Sequence, residues 1–197
     1  MHVPVLLREV IKYLNPKPNQ NFIDCTINGG GHSLAILERT KPKGKILGID
    51  WDKQILLRLK FRIKEENLIL VCDNFANLRK IVGQYNFQPV NGILFDLGMS
   101  SWHLEKSGRG FSFLRDEPLD MNYSQNADLK AKEIINQWSI QNLEKIFREY
   151  GQERYAHKIA SQIAMVRKTQ PILRTFQLTE VIKKAIPKRA QFGRIHF

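Results

Sequence analysis

The sequence is poor in cysteine, in acidic residues and in long apolar runs, and each shortage closes off a class of protein. Two cysteines, Cys25 and Cys72, are all that 197 residues hold. They have neither the spacing of a metal site nor the number needed for a disulfide framework. No metal-ligand cluster accompanies them, so metal chemistry is not expected, and a reduced, cytoplasmic setting fits best. No apolar stretch is long enough to cross a bilayer. The opening Met1-His2-Val3-Pro4 lacks the basic-then-apolar pattern of a secretory leader, so no membrane partner is expected. Asp and Glu number 19 against 31 Lys and Arg, and the resulting formal charge of +12 favours a polyanionic partner, nucleic acid first. Residues 139–197 hold 12 Lys or Arg against 4 Asp or Glu, a clustering that uniform compositional bias does not produce.

What is present is enough apolar sequence for a core, 43% of the chain, arranged in two styles. The first hundred residues alternate. Val5 to Leu14 places Leu6, Leu7, Val10, Ile11 and Leu14 on one helical face. Strands are predicted at 22–24, 45–50, 67–73 and 92–97, with helices over 33–39, 53–64 and 75–85 between them. This alternation implies βαβ units and a parallel sheet, and right-handed crossovers bring all four strand ends to one edge. Each strand reads as ending in aspartate: Asp24, Asp50, Asp73 and Asp96. Four carboxylates along the edge where open α/β sheets bind ligands point to a site there. Beyond residue 100 the composition changes. A loop-rich stretch, 99–130, carries Ser107-Gly108-Arg109-Gly110-Phe111-Ser112-Phe113, and helices follow over 131–138, 140–149, 152–168 and 176–186. The expected division is a Rossmann-like domain over 1–104 and a basic helical domain over 105–197.

Between the first strand and its helix lies Asn28-Gly29-Gly30-Gly31-His32-Ser33. Glycines there let backbone approach a ligand, and the helix start offers free N–H groups. The dinucleotide fingerprint G-x-G-x-x-G fails, because Leu34 stands where its last glycine belongs. A nicotinamide-dependent oxidoreductase is therefore disfavoured. Asp50, closing the second strand, can accept hydrogen bonds from both ribose hydroxyls of a nucleoside. Phe75, just past the third strand, can stack on adenine or simply pack at a helix start.

These pieces together resemble the bacterial small-subunit ribosomal RNA cytosine-N4 methyltransferases of the RsmH/MraW type. The resemblance is carried by His2-Val3-Pro4-Val5-Leu6-Leu7, Asp24-Cys25-Thr26, Gly29 to Ser33, and Gly48-Ile49-Asp50 with Asp52. It continues through Asp96-Leu97-Gly98-Met99-Ser100-Ser101, Arg109 to Phe113, Pro118-Leu119-Asp120-Met121, Tyr150 to Ala156 and Ile159-Ala160. It implies a class I S-adenosylmethionine-dependent methyltransferase, an α/β fold whose Rossmann-like sheet is incomplete here, with an inserted helical domain. It implies S-adenosylmethionine as cofactor, held by Gly30, Gly31, His32, Asp50, Phe75, Asp96 and His103, the last standing where the family commonly has Gln. Asn28, Trp51 and Asn122 likewise differ from the usual family residues. Asp96 is the expected catalytic residue, accepting a hydrogen bond from the cytidine amine. Arg109, Phe111, Phe113 and the basic helices are the expected surface for small-subunit ribosomal RNA, with Phe111 and Phe113 equally able to anchor their loop as apolar side chains. Gly193-Arg194-Ile195-His196-Phe197 resembles the start of a family stretch that continues further, so the chain is expected to be truncated, with its fourth strand short of partners. A catalytically inactive RNA- or ribosome-binding remnant is the second reading.

Overall fold

The structure is a computed structural model, and it describes residues 4–124, 127 and 129–188. His2, Val3 and the stretch from Gly193 to Phe197, used in the sequence reading, lie outside the described residues. The chain divides into two compact units. The first runs to Ser100 and takes in Tyr123 and Ser124; the second holds Ser101–Asn122 and the chain after residue 126.

The first unit is built on four parallel strands, β1 (Phe22–Asp24), β2 (Ile46–Asp50), β3 (Leu68–Cys72) and β4 (Gly92–Leu94), in the order β3-β2-β1-β4. Phe22 lies beside Ile46 on one side and Gly92 on the other, and Asp50 beside Cys72. The central strands are buried along their whole length. This is why Phe22-Ile23 and Ile46-Leu47-Gly48-Ile49 read as unbroken apolar runs rather than alternating ones. Four helices accompany the sheet: α1 (Leu7–Leu14), α2 (Gly31–Thr40), α3 (Lys53–Arg62) and α4 (Leu78–Gln84). Helix α3 starts where the Asp52 carboxylate accepts the Gln54 amide at 2.9 Å, a side-chain cap. It ends at Arg62, two residues before the expected stop, because the backbone of Ile63 is extended. Three boundaries shift further. Helix α1 begins at Leu7 because Leu6 adopts a left-handed backbone, φ 51°. The 75–85 segment opens as a 3₁₀ turn over Phe75–Asn77 before α4. Strand β4 stops at Leu94, so Phe95 to Leu97 leave the ladder, and Ile93, Phe95 and Leu97 are exposed. Among the described residues β4 is an edge strand.

The second unit is helical: α5 (Ser101–Glu105), α6 (Ala131–Gln137), α7 (Ile140–Glu149), α8 (Ala156–Val166) and α9 (Thr175–Ala185). The loop-rich reading of 99–130 missed α5, whose five residues are too short to show a period. The division into units falls at Ser100/Ser101, before the expected 104/105, because the His103 ring of α5 lies 5.1 Å from that of Phe111 in this unit. Helix α8 starts at Ala156 rather than 152. The Gly151 and Glu153 amides instead donate back to the Ile146 and Phe147 carbonyls, at 3.3 and 3.0 Å, and consume the intervening residues in a turn. Leu119, Ile135, Leu143, Ile159, Ile163, Ile172 and Val181 form one core. The loop ahead of these helices is clasped by α9. Thr175 Oγ1 accepts the Glu117 amide at 3.0 Å, and Glu117 Oε2 accepts the Gly110 amide at 2.8 Å. Among the described residues no helix is long and apolar enough to cross a membrane.

Candidate functional site

In the first unit the chemistry gathers where β1, β2 and β4 end. The turn after β1 is tied to β2: the Ile27 amide donates to the Ile49 carbonyl at 3.0 Å, and the Asn28 amide to Asp50 Oδ2 at 3.0 Å. The other oxygen of Asp50 accepts the Asp52 amide at 2.9 Å. Asp50 therefore braces the glycine loop against the second strand, and its carboxylate is oriented by backbone rather than by its own rotamer.

Two glycines of the loop have distinct reasons to be glycine. Gly30 has φ +76°, and a Cβ on it would stand 2.9 Å from Leu59. Gly31 opens α2 with φ negative, but a Cβ there would lie 2.3 Å from the Pro4 ring. At both positions protein atoms fill the space a side chain would take, and the Gly30 amide donates to the Ile27 carbonyl at 2.7 Å. No side chain caps α2, and its first amides keep the donor capacity of an open helix start.

His32, the second residue of α2, is buried. Its Nε2 faces the Val5 carbonyl at 2.8 Å. A carbonyl only accepts, so Nε2 carries the proton, and Nδ1 faces Asp96 Oδ2 at 3.7 Å. Asp96 lies two residues past β4 with a partly exposed side chain. Its amide donates to Thr26 Oγ1 at 2.7 Å. The neighbouring Phe95 ring meets Phe75 edge-on, centroids 5.6 Å apart, and Phe75 is 40% exposed. Gly30, Gly31, His32, Asp50, Phe75 and Asp96 thus all belong to this unit. Asp73 ends no strand; it follows β3 and donates its amide to the Asp50 carbonyl at 3.2 Å.

His103 belongs to the second unit, where it is buried between the rings of Trp102 and Phe111, centroids 5.3 and 5.1 Å away. Phe111 is 8% exposed. It anchors its loop and offers no stacking face, so of the two roles open to it from sequence it takes the anchor and not the RNA surface. Phe113 stays half exposed. The Arg109 guanidinium donates to the Asn122 carbonyl at 3.0 Å and lies 5.2 Å from the centre of the Trp102 ring. Lys145, Lys158, Lys183 and Lys184 are exposed along α7, α8 and α9, and Lys168 is exposed just past α8.

Three residues near the site had no role assigned from sequence. Thr26 receives the Asp96 amide; a hydroxyl between a strand-end aspartate and a glycine loop was the available signal. Asp24 accepts the Ser33 hydroxyl at 2.7 Å. Burial pushes its carboxyl above the ordinary range, against the pull of the Ser33 and Thr26 hydrogen bonds. Tyr123 returns to this unit; its phenol is pushed up by burial first and by the Asp50 charge second, a proximity no local pattern announces. Cys25 is pushed up to about 12 by burial and by Asp24, which leaves its thiol inert at neutral pH.

A parallel sheet in the order β3-β2-β1-β4, a glycine loop after β1 and a braced carboxylate at the end of β2 define a nucleoside-binding unit of the Rossmann kind. The model of the MraW methylase family matches residues 1–197, and the chain belongs to that family. It is 42% identical over 191 residues to a ribosomal RNA small subunit methyltransferase H of Clostridium botulinum, a match covering 96% of this chain and 62% of the relative. To the protein of that name from Syntrophotalea carbinolica it is 41% identical, over 99% of this chain and 63% of the relative. To that from Halothermothrix orenii it is 43% identical, over 96% and 61%. The chain thus spans less than two thirds of the length of the curated relatives it matches. Its first unit has an α/β, Rossmann-like fold and its second is helical.

Proposed function

We propose that this chain provides the cofactor site and RNA-facing helices of an S-adenosylmethionine-dependent methyltransferase. Its substrate is the N4 amine of a cytidine in small-subunit ribosomal RNA, in a bacterial cytoplasm. The observation that carries the reading is the brace between Asp50 and the glycine loop, in a chain of the MraW methylase family.

The residues fit the cofactor. Asp50 accepts a backbone amide on each oxygen, which fixes its carboxylate at the end of β2, where the ribose hydroxyls of a nucleoside are met in folds of this kind. Phe75 is exposed enough to meet an adenine, and Phe95 steadies its ring. Gly30, Gly31 and His32 present the uncapped start of α2 to the amino-acid end. His103, buried in the second unit, is not among these contacts. S-adenosylmethionine, when bound, supplies an electrophilic methyl group on a sulfonium.

A cytosine amine is a weak nucleophile because its lone pair is delocalised into the ring. Asp96, partly exposed two residues past β4, would accept a hydrogen bond from that amine; as the N–C bond formed the sulfonium's S–CH3 bond would break, leaving a neutral thioether, and the amine's proton would pass to Asp96 or to water. The remainder of the rate comes from proximity and orientation. Arg109, Phe113 and the lysines of α7 to α9 meet RNA phosphates and bases.

The test is calorimetry of the 197-residue chain with S-adenosylmethionine and, separately, NAD, followed by methyl transfer to small-subunit RNA. Binding of S-adenosylmethionine alone, transfer to a cytidine N4, and loss of transfer in Asp96→Asn are expected. RNA binding without cofactor binding would favour the remnant reading, and NAD binding the oxidoreductase.

A further inference from the structure

Asp24 is a buried acid that the proposed reaction does not use. It closes β1 and is 2% exposed. Its Oδ2 accepts the hydroxyl of Ser33, in the first turn of α2, at 2.7 Å, and its Oδ1 accepts the Thr26 amide at 3.1 Å. The Thr26 hydroxyl oxygen then accepts the amide of Asp96, seventy residues on, at 2.7 Å. Three segments meet in this knot: the end of β1, the start of α2 and the chain leaving β4. Strands β1 and β4 are neighbours although β2 and β3 intervene in sequence, so the knot occupies the point where strand order reverses and ligands bind. Ladder pairing ends at Leu94. Beyond it, the Thr26 hydroxyl holds the backbone of Asp96.

We propose that Asp24 is a positioning residue, which fixes the backbone of Asp96 through Thr26 and thereby sets where the Asp96 carboxylate stands. Its consequence for catalysis rests on the methyltransferase reading above; its structural content does not. Because burial favours the uncharged acid, the neutral isostere preserves the knot. In Asp24→Asn the amide oxygen accepts from Thr26 and the amide nitrogen donates to the Ser33 oxygen. Ala can do neither. Thr26→Ser keeps the acceptor for Asp96, and Thr26→Val removes it.

The test is amide hydrogen exchange by NMR on the full chain, with a thermal melt of each variant. Asp96 protection is expected to fall on the order of tenfold in Asp24→Ala and Thr26→Val. Ile49, central in the sheet, should keep its protection, and Asp24→Asn and Thr26→Ser should match the parent. If Asp24→Ala does not melt cooperatively, Asp24→Ser, too short to reach both partners, takes its place. Unchanged Asp96 protection in the Asp24 variant overturns the proposal, whatever Thr26→Val does. Methyl transfer to small-subunit RNA by the same variants should then show kcat falling with cofactor affinity within about twofold of the parent. A parent chain that transfers no methyl group overturns the methyltransferase reading, while the exchange data still decide the positioning role.

Discussion

Asp24 and Glu144 are both carboxylates that accept two hydrogen bonds, and the two units treat them in opposite ways. Asp24 is enclosed at the end of β1, and burial outweighs its hydrogen bonds, pushing the carboxyl up. Glu144 lies on the surface of the α7–α8 pair, bonded to His157 at 2.7 Å and Arg148 at 2.6 Å, and those partners, His157 foremost, pull it down. The contrast extends to the neighbours. The first unit buries Asp24, His32, Ser33, Asp50 and Asp52 around its glycine loop. In the second the buried polar groups His103, Ser112, Glu117 and Thr175 belong to the 101–119 segment or the helix start that clasps it, and the core between the helices is apolar. Buried polarity needs partners with defined geometry, so it marks places where position matters more than stability. That argument puts chemistry in the first unit and a scaffold with a charged exterior in the second.

The largest expected effect tests the scaffold half of this contrast. Leu143 is fully buried in the single helical core. Leu143→Ala should cost about 2–5 kcal/mol in urea unfolding; a cost below about 1 kcal/mol would mean the helices do not share one core. Next comes Asp50→Ala in the first unit. It leaves the amides of Asn28 and Asp52 without their acceptor, costing about 1–3 kcal/mol. Calorimetry should show S-adenosylmethionine affinity lowered by at least about tenfold, the scale of a lost charged hydrogen bond. Affinity unchanged by Asp50→Ala would remove the chemistry from this end of the sheet.

A smaller effect, in the direction of pH dependence, separates the two carboxylates. The folded-state value of Asp24 is raised above 3.8, so the folded protein holds that proton more tightly than the unfolded chain does. Stability from this group is fully present below about 3.8 and is lost as pH rises through the raised folded value. Asp24→Asn does not titrate, so it should gain on the parent in urea unfolding between pH 4 and pH 7. Parallel profiles for the two proteins would show that Asp24 is not desolvated.

The sheet was legible in the sequence because central parallel strands are continuous apolar runs and their connecting helices are amphipathic. Asp50 and the glycine loop were legible for the same reason: strand, turn and helix follow one another locally. What local pattern could not supply was pairing between distant segments. Nothing near Thr26 announces that its hydroxyl holds the amide of Asp96, and nothing near Tyr123 places it in the first unit. Phe111 and Phe113 look equivalent in sequence, and only tertiary packing buries one and exposes the other. Strand β4 was read as longer than it is because Phe95 and Leu97 continue its alternation, although both stand outside the ladder and exposed.

The smallest effect belongs to Glu144. Its folded value lies below 4.5, so its contribution is present above about 4.5 and lost as pH falls through that lower value, the reverse of Asp24. Glu144 is half-buried at the surface and its partners Arg148 and His157 are exposed, and surface pairs of this kind contribute little and are screened by salt. Glu144→Gln should therefore lower the melting temperature slightly at pH 6 in low salt. It should match the parent at pH 6 in about 1 M salt, where the Debye length is about 3 Å. The difference should also shrink as pH falls through the lowered folded value of Glu144. A deficit that survives high salt would mean that the His157–Glu144–Arg148 cluster is held as tightly as the knot around Asp24, and the division between a chemical unit and a scaffold would lose its electrostatic basis.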